Sequence, residues 1–228
     1  GDYTSLAAAI TALNTNGVGA GGAIINVPAN WTEPAPAGGY SLGSATLNAS
    51  LSSTATLIIQ KSGAGSNPLL TAQAGTITET YFLGLGDGIF DLKGVDYVTI
   101  DGIDLTDPTN ATTATRMQHG YGLFKLNSTV PLNGCQNNTI KNCTITLSAN
   151  TATGTPTTVG IYMDNRFSGT AGSLALNSAA SDANSYNRFY SNTIQKVGVG
   201  IFARGFYNAS SLANFDTNND FGGSSLAT

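Results

Sequence analysis

Three aspartates in the middle of the chain are the first residues whose types and spacing could do chemistry. Asp101, Asp104 and Asp107 recur at every third position. Grouped carboxylates can hold Ca²⁺ when about six to eight oxygens converge, and a nearby arginine can then act as a base, for which Arg166 and Arg188 are the candidates. Asp107 precedes a proline, as turn residues do. The pattern favours structural roles over a calcium or catalytic site, and leaves Asp101, Asp104, Arg166 and Arg188 as the candidate catalytic residues.

A three-residue motif of glycine, an aliphatic residue and an aromatic residue, called the phrase below, occurs four times and could form a sugar-binding platform. Its copies begin at residues 88, 122, 160 and 200. The aromatic members are Phe90, Phe124, Tyr162 and Phe202. If the aliphatic residues point inward, alternation sends the aromatic rings outward, where sugars could stack on them. If the rings point inward, they form a core stack, which three phenylalanines without polar groups favour. The sequence leaves both orientations open and makes Tyr162 the ring expected nearest to solvent.

Aligning the four phrases also pairs opposite charges on neighbouring repeats. The alignment places Asp91 beside Lys125 and Asp164 beside Arg204, which predicts exposed ion pairs of modest strength. His119 is the only histidine of the chain. Without a partner that the sequence can identify, it is interpreted as a structural hydrogen-bonding residue.

The elements that position these side chains follow from the repeat itself. Self-similarity at 34, 38 and 40 residues between phrase starts is typical of a solenoid whose units bury apolar faces against one another. Strand-like phrases of four to six residues, without helical periodicity between them, predict an all-β parallel β-helix. Polar segments at 107–114, 149–158 and 167–185 are expected to project as loops. We expect one domain, with a cap at 1–22, first coils at 23–87 and repeat coils at 88–228.

The N-terminal segment predicts a short capping α-helix. Leu6, Ala9, Ile10 and Leu13 fall on one helical stripe. Thr4 or Ser5 can serve as N-cap, and the Asn-Gly pair at 16–17 supplies a stop signal. Residues 23–27 then have the β-branched character of a strand.

Composition narrows the possible partners. Only 10% of the residues are charged and the net charge is −4, so a basic surface for nucleic acid is not expected. No apolar run reaches the ~18 residues of a membrane-spanning helix, so membrane insertion is not expected either. Cys135 and Cys143 align with Val95 and Ile103 of the preceding repeat, which predicts buried free thiols. No resident cofactor is expected.

The opening residues Gly1–Leu6, followed by Ile24–Ala29 and Trp31–Glu33, resemble the start of right-handed parallel β-helix proteins of the pectate lyase and pectin methylesterase superfamily. Tyr97–Ile103 and Asn137–Ile145 resemble the coils of the same superfamily. Such sequences occur in large secreted or surface proteins of Bacteroidota. The resemblance implies a right-handed β-helix whose first coil is closed by a short helix.

The superfamily's catalytic signatures are not carried over to this chain. Gly88-Ile89-Phe90-Asp91 has the wrong order for the methylesterase phrase, and Gln118-His119-Gly120 lacks the paired carboxylates of polygalacturonases. We therefore expect a secreted or cell-surface module with an adhesive, carbohydrate-contacting or structural role. The alternative is a polysaccharide lyase or glycoside hydrolase. The expected partners are a polysaccharide or surface glycan and, at the C-terminal end, a stacked copy or the remainder of a longer chain.

Overall fold

Short strands follow one another in triplets, and equivalent strands of successive triplets pair in parallel. The computed structural model describes residues 2–75, 86–108, 115–148, 158–167, 177–205 and 214–222. The first sheet consists of β1 (Ala23–Pro28), β4 (Leu57–Ser62), β7 (Val98–Asp101), β10 (Thr139–Lys141), β13 (Arg188–Tyr190) and β16 (Asp220–Phe221). The second sheet consists of β2 (Thr32–Pro34), β5 (Leu69–Thr71), β8 (Asp104–Thr106), β11 (Thr144–Thr146) and β14 (Thr193–Gln195). The third sheet consists of β3 (Tyr40–Leu42), β6 (Gly88–Lys93), β9 (His119–Lys125), β12 (Val159–Phe167) and β15 (Val199–Arg204). This arrangement is the predicted right-handed parallel β-helix.

Ladders of like side chains fill the space between the three sheets. In the first sheet one inward ladder is continuous over six strands: Ile25, Ile59, Ile100, Ile140, Phe189 and Phe221. In the second sheet the matching ladder reads Glu33, Leu70, Leu105, Ile145 and Ile194. Each fully buried aliphatic or aromatic side chain contributes about 1.5–3 kcal/mol to folding, so these ladders are the main source of stability.

The N-terminal helix forms as the sequence predicts. Helix α1 spans Leu6–Asn16, its first turn is capped by the Ser5 hydroxyl, and it ends at Gly17 with a positive φ of 72°. Leu6 and Ile10 are buried against the first coil. A second short helix, α2 (Ala45–Ser50), follows β3 and packs beside α1. The sequence analysis did not predict α2.

Two kinds of residue shape the corner that leads into the first sheet. Tyr97, Asn137, Tyr186 and Asn218 all have a positive φ there, between 56° and 60°. Behind them Asn138, Asn187 and Asn219 form a ladder. The side-chain Oδ1 of each accepts a backbone N–H of the preceding coil, at 2.9–3.2 Å. Its Nδ2 donates to a carbonyl of that same coil, at 2.8–2.9 Å. The amides thus satisfy buried backbone groups that the turn leaves unpaired.

Both cysteines are buried free thiols, as predicted. Cys135 is 0% and Cys143 1% exposed, and both belong to the main core. Burial raises the pKa of each thiol to about 12. In the described part of the chain no helix is long and apolar enough to cross a membrane. Of the polar segments expected to project as loops, residues 109–114, 149–157 and 168–176 lie outside the described residues. The described end of the third segment does not project throughout, because Asn177 and residues 182–185 are buried.

Candidate functional site

The outer face of the third sheet gathers the chemically distinctive side chains of the chain. In β12 the alternation of side chains is interrupted once, so that Gly160 and Ile161 both face the core. From Ile161 onward the alternation holds: Tyr162 points outward and Met163 points inward. The β-ladder places Tyr162 opposite Gly122 on one side and Phe202 on the other. Asp91 is paired with Gly122 in the same outward row. We refer to the row Asp91, His119, Phe124, Tyr162, Asp164, Phe202 and Arg204 as the outer row of the third sheet.

This register separates the four predicted aromatic residues into two groups. Phe90 pairs with Tyr40 and Tyr121, faces the main core and is fully buried. Phe124 and Tyr162 pack together in a second cluster on the outer face, with Phe202 partly exposed beside them. The four rings therefore do not all face the same way, as each of the two orientations considered from the sequence required. The expectation that Tyr162 lies nearest to solvent is also wrong, because Tyr162 is 4% exposed and Phe202 is the more exposed ring. Phe90 is a core residue with no surface to offer a ligand, and the outward rings are largely covered.

His119 and Asp91 form the closest polar pair of the outer row. His119 Nε2 lies 2.7 Å from Asp91 Oδ1, and the His119 ring is 1% exposed. Gly88 and Gly122 leave room for this pair, because a Cβ at either would collide with both side chains. The ring contacts Phe124 and Tyr162 edge-on at 5.4 and 5.6 Å between centroids. His119 Nδ1 is buried without a hydrogen-bond partner in the described structure.

The predicted pairing of Asp91 with Lys125 is wrong. Asp91 lies opposite Gly122, three positions before the expected Lys125, because Tyr121 rather than Phe124 pairs with Phe90. Tyr121 anchors this register by donating from its hydroxyl to the Ile103 carbonyl at 2.7 Å inside the core. Lys125 instead points away from the outer row and donates to Asn177 Oδ1 at 2.8 Å.

The second predicted charge pair is present and belongs to a larger group. Arg204 donates through Nε to Asp164 Oδ1 at 2.8 Å and through Nη2 to Oδ2. Arg166 Nε lies 3.3 Å from Asp164 Oδ2, and the Tyr162 hydroxyl donates to the same oxygen at 2.9 Å. Desolvation and the neighbouring Asp164 raise the pKa of Tyr162 above its usual range. Asp164 is thus fully buried between two guanidinium groups rather than in the exposed pair expected from the sequence.

The candidate catalytic residues are distributed over all three sheets. Asp101, on the first sheet, lies 3.1 Å from Lys141 Nζ and accepts from Asn142 Nδ2 at 2.6 Å. Asp104, on the second sheet, accepts from Asn67 Nδ2 at 2.8 Å and from the Thr144 N–H at 2.7 Å.

The two candidate arginines also lie apart from these aspartates. Arg188 is exposed on β13, two coils beyond Asp101, and Arg166 is on the third sheet. The fold therefore brings neither arginine beside the two aspartates. Asp107 is buried and accepts from the Met117 N–H at 2.8 Å, in keeping with a structural role. Within the described ranges no group of three or more His, Cys, Asp or Glu side chains could hold a metal ion.

Sequence reasoning missed a buried polar cluster next to the outer row. It consists of Lys125, Asn165, Asn177, Asn184 and Asp216. Lys125 is the only described lysine with no exposed surface. A lysine directly after the apolar Leu123-Phe124 pair was the available signal, but its partners are 52 and 91 residues further along the chain. Comparison of the chain with family models, curated proteins and solved structures gives no match.

Proposed function

We propose that this chain is a secreted or cell-surface β-helix module of the pectate lyase-like type, as in Bacteroidota surface proteins, with an adhesive, carbohydrate-contacting or structural role and no catalysis of its own. The observation that supports this is how the candidate carboxylates are used. Asp101 and Asp104 each hold a neighbouring coil or turn in place, through Lys141 and Asn142 or through Asn67 and Thr144. A carboxylate engaged in this way is poorly placed to exchange protons with a substrate.

Exposed aromatic rings supply the surface for glycan contact in this proposal. Trp31 is 39% and Tyr186 46% exposed. Trp31 is held in position because its Nε1 donates to Glu33 Oε2 at 3.2 Å. Rigid aromatic rings bind sugars at low entropic cost, because few rotatable bonds must be ordered.

We also propose that the β15 edge of the third sheet stacks on a second copy or on the remainder of a longer chain. A Cβ at Gly120 or Gly160 would collide with the next coil, whereas a Cβ at Gly200 would meet no atom of the described residues within 4 Å. Edges of this kind pair readily with another chain. Light scattering after size exclusion tests the first possibility: a strictly monomeric protein up to high concentration contradicts stacking on a second copy.

The test of the main proposal is a binding assay paired with an activity assay. The chain is incubated with a panel of acidic and neutral polysaccharides. Binding is measured as retention of the protein on each polysaccharide, and activity as the appearance of unsaturated products or new reducing ends. We expect retention by at least one glycan without turnover, and weaker retention of Trp31→Ala, with Tyr3→Ala as the matched exposed control. Turnover that is lost in Asp→Asn variants overturns the proposal.

A polysaccharide lyase or glycoside hydrolase is the second candidate. The outer row of the third sheet supplies the groups that it would use, but His119 and Asp164 there are buried. Asp91, His119, Asp164 and Arg204 bring acid, base and cationic groups onto one face within four neighbouring strands. If the panel reveals turnover, His119→Gln and Asp91→Asn should abolish it while Asp101→Asn should not. The reverse pattern would move the site to the first sheet.

A further inference from the structure

Lys125 is buried in a way that does not suit a charged amine. Its side chain has no exposed surface, and among the described residues its Nζ donates one hydrogen bond, to the neutral amide of Asn177 at 2.8 Å. Across the described residues Lys125 forms no ion pair within 4.0 Å. A buried ammonium group is ordinarily paired with a carboxylate, since an isolated buried charge is costly.

The surroundings of Lys125 favour the neutral, nucleophilic amine. Burial lowers the pKa of Lys125 to about 8, although Asp216, Cys135, Asp182 and Asp164 act in the opposite direction. A desolvated lysine of this kind is an activated nucleophile. Its target is in place, because Oδ1 of Asn177 is bonded directly to the Cγ atom that the amine would attack. Asn177 is itself 2% exposed, so water is largely excluded from the pair.

Asp216 stands beside the group that would leave. Asn177 Nδ2 lies 3.5 Å from Asp216 Oδ1 and also donates to the Asn214 carbonyl at 2.8 Å. Asn165 Nδ2 fixes the other carboxyl oxygen at 2.6 Å, and the Asn184 N–H donates to Oδ1 at 2.9 Å. Burial raises the pKa of Asp216, which favours a carboxyl group that can both give and take a proton.

We propose that Lys125 and Asn177 form an intramolecular amide bond, with Asp216 as the proton-transfer group. The neutral Nζ attacks Cγ of Asn177, so that the Nζ–Cγ bond forms and the Cγ–Nδ2 bond breaks. One proton of the amine passes through the Asp216 carboxyl group to Nδ2, which leaves as ammonia. The product is a Lys–Asn amide and one molecule of ammonia, and no oxidant, reductant or cofactor is needed. Two groups held in contact in a dry site react as an effectively unimolecular pair.

The bond would tie β9 to the segment that follows β12, across 52 residues of chain. A covalent link of this kind restricts the unfolded chain and so stabilises the fold, in the manner of a disulfide that closes a long loop. Unlike a disulfide, it would persist under reducing conditions. The proposal is independent of glycan binding and of polysaccharide turnover.

The test is the mass of the purified full chain, measured after incubation at pH 8 and followed by peptide mapping. We expect a mass lower than that of the sequence by one ammonia, and a branched peptide that joins the Lys125 and Asn177 segments. Asn16-Gly17 and Asn133-Gly134 could also lose ammonia by forming succinimides. The branched peptide, which survives hydroxylamine, distinguishes the amide from them.

Three variants complete the test. Lys125→Met and Asp216→Asn should retain the full mass and unfold at a lower temperature, whereas Lys141→Met should form the link like the wild type. Circular dichroism checks that each variant is folded, and Asp216→Asn changes a single atom if Lys125→Met fails to fold. A wild-type chain of unchanged mass, or a branched peptide that persists in Asp216→Asn at the wild-type rate, overturns the proposal.

Discussion

Glu33 lies directly opposite Leu70 in the second sheet, so a carboxylate occupies the core position that leucine fills in the next coil. Glu33 is 6% exposed and accepts from four donors. These donors are the Leu6 and Ala7 N–H groups, the Trp31 indole and the Tyr40 hydroxyl, at 2.9–3.2 Å. Two of them are orphan N–H groups of the first turn of α1, where a negative charge is also favourable. Glu33 therefore joins the capping helix to the first coil.

Replacing Glu33 should loosen the N-terminal cap. Glu33→Leu restores the apolar ladder but leaves four donors without this acceptor, and the Leu6 N–H and the Tyr40 hydroxyl among them are buried, so we expect the free energy of unfolding to fall by about 2–4 kcal/mol. Urea unfolding with far-ultraviolet circular dichroism measures the loss. Asp2→Asn is the exposed control and should change little. Equal or greater stability of Glu33→Leu would mean that burial of the leucine side chain outweighs the capping of helix α1 by Glu33.

Gly160 should resist substitution whereas Gly200 should not. A Cβ at Gly160 would lie 2.6 Å from the Gly200 carbonyl oxygen and collide with Ile194, but a Cβ at Gly200 meets no atom of the described residues within 4 Å. Since overpacking a core costs about 1–3 kcal/mol, Gly160→Ala should be destabilising by that amount and Gly200→Ala close to neutral. Thermal unfolding of the two variants side by side provides the measurement. A marked loss in Gly200→Ala would show that another coil, or another copy, covers that position.

Asp96 should make the protein less stable as the pH rises. Burial raises its pKa from 3.8 to about 7, even though the Gln136 N–H donates to it at 2.7 Å. Between pH ~4 and ~7 the unfolded chain therefore releases a proton that the folded chain retains, and stability falls over that window. Asp96→Asn keeps the acceptor oxygen and should reduce this slope, so that the variant exceeds the wild type at pH 8. Denaturant titrations at pH 4, 6 and 8 test this, and an unchanged slope contradicts it.

The two cysteines should be unreactive until the protein unfolds. Cys135 and Cys143 are buried, and their pKa values are raised to about 12, so little thiolate is available at pH 8. We expect alkylation by iodoacetamide to be at least ~100-fold slower in the native protein than in guanidinium chloride. Mass spectrometry over time gives both rates. Rapid native labelling of either residue would show that the core opens locally near it.

The repeat allowed the fold to be predicted, but not the register of the third sheet. The last two phrases align as the sequence suggests, with Tyr162 opposite Phe202 and Asp164 opposite Arg204. The first two do not, because Phe90 pairs with Tyr121 rather than Phe124. The sequence alignment paired these similar motifs in the wrong register, because glycine and aromatic residues occur on both faces of β9. A shift of this kind changes which charges meet, and so the Asp91–Lys125 prediction failed.

The buried polar cluster could not be predicted from the sequence, for a different reason. Lys125, Asn177 and Asp216 belong to different coils, and no short motif links them. Only the path of the chain through successive corners brings them together. The Cys135 and Cys143 prediction succeeded because it compared equivalent positions of adjacent coils, which the repeat specifies directly.

The asparagine ladder gives this solenoid a direction. The amides of Asn138, Asn187 and Asn219 each bind the backbone of the coil before them, so three successive corners depend on the following coil for these hydrogen bonds. A pulling force on the C-terminal end would therefore break these bonds one corner at a time, beginning with the last corner. A force on the N-terminal end would first meet the helix that Glu33 holds in place. The two ends of the molecule should thus differ in mechanical strength.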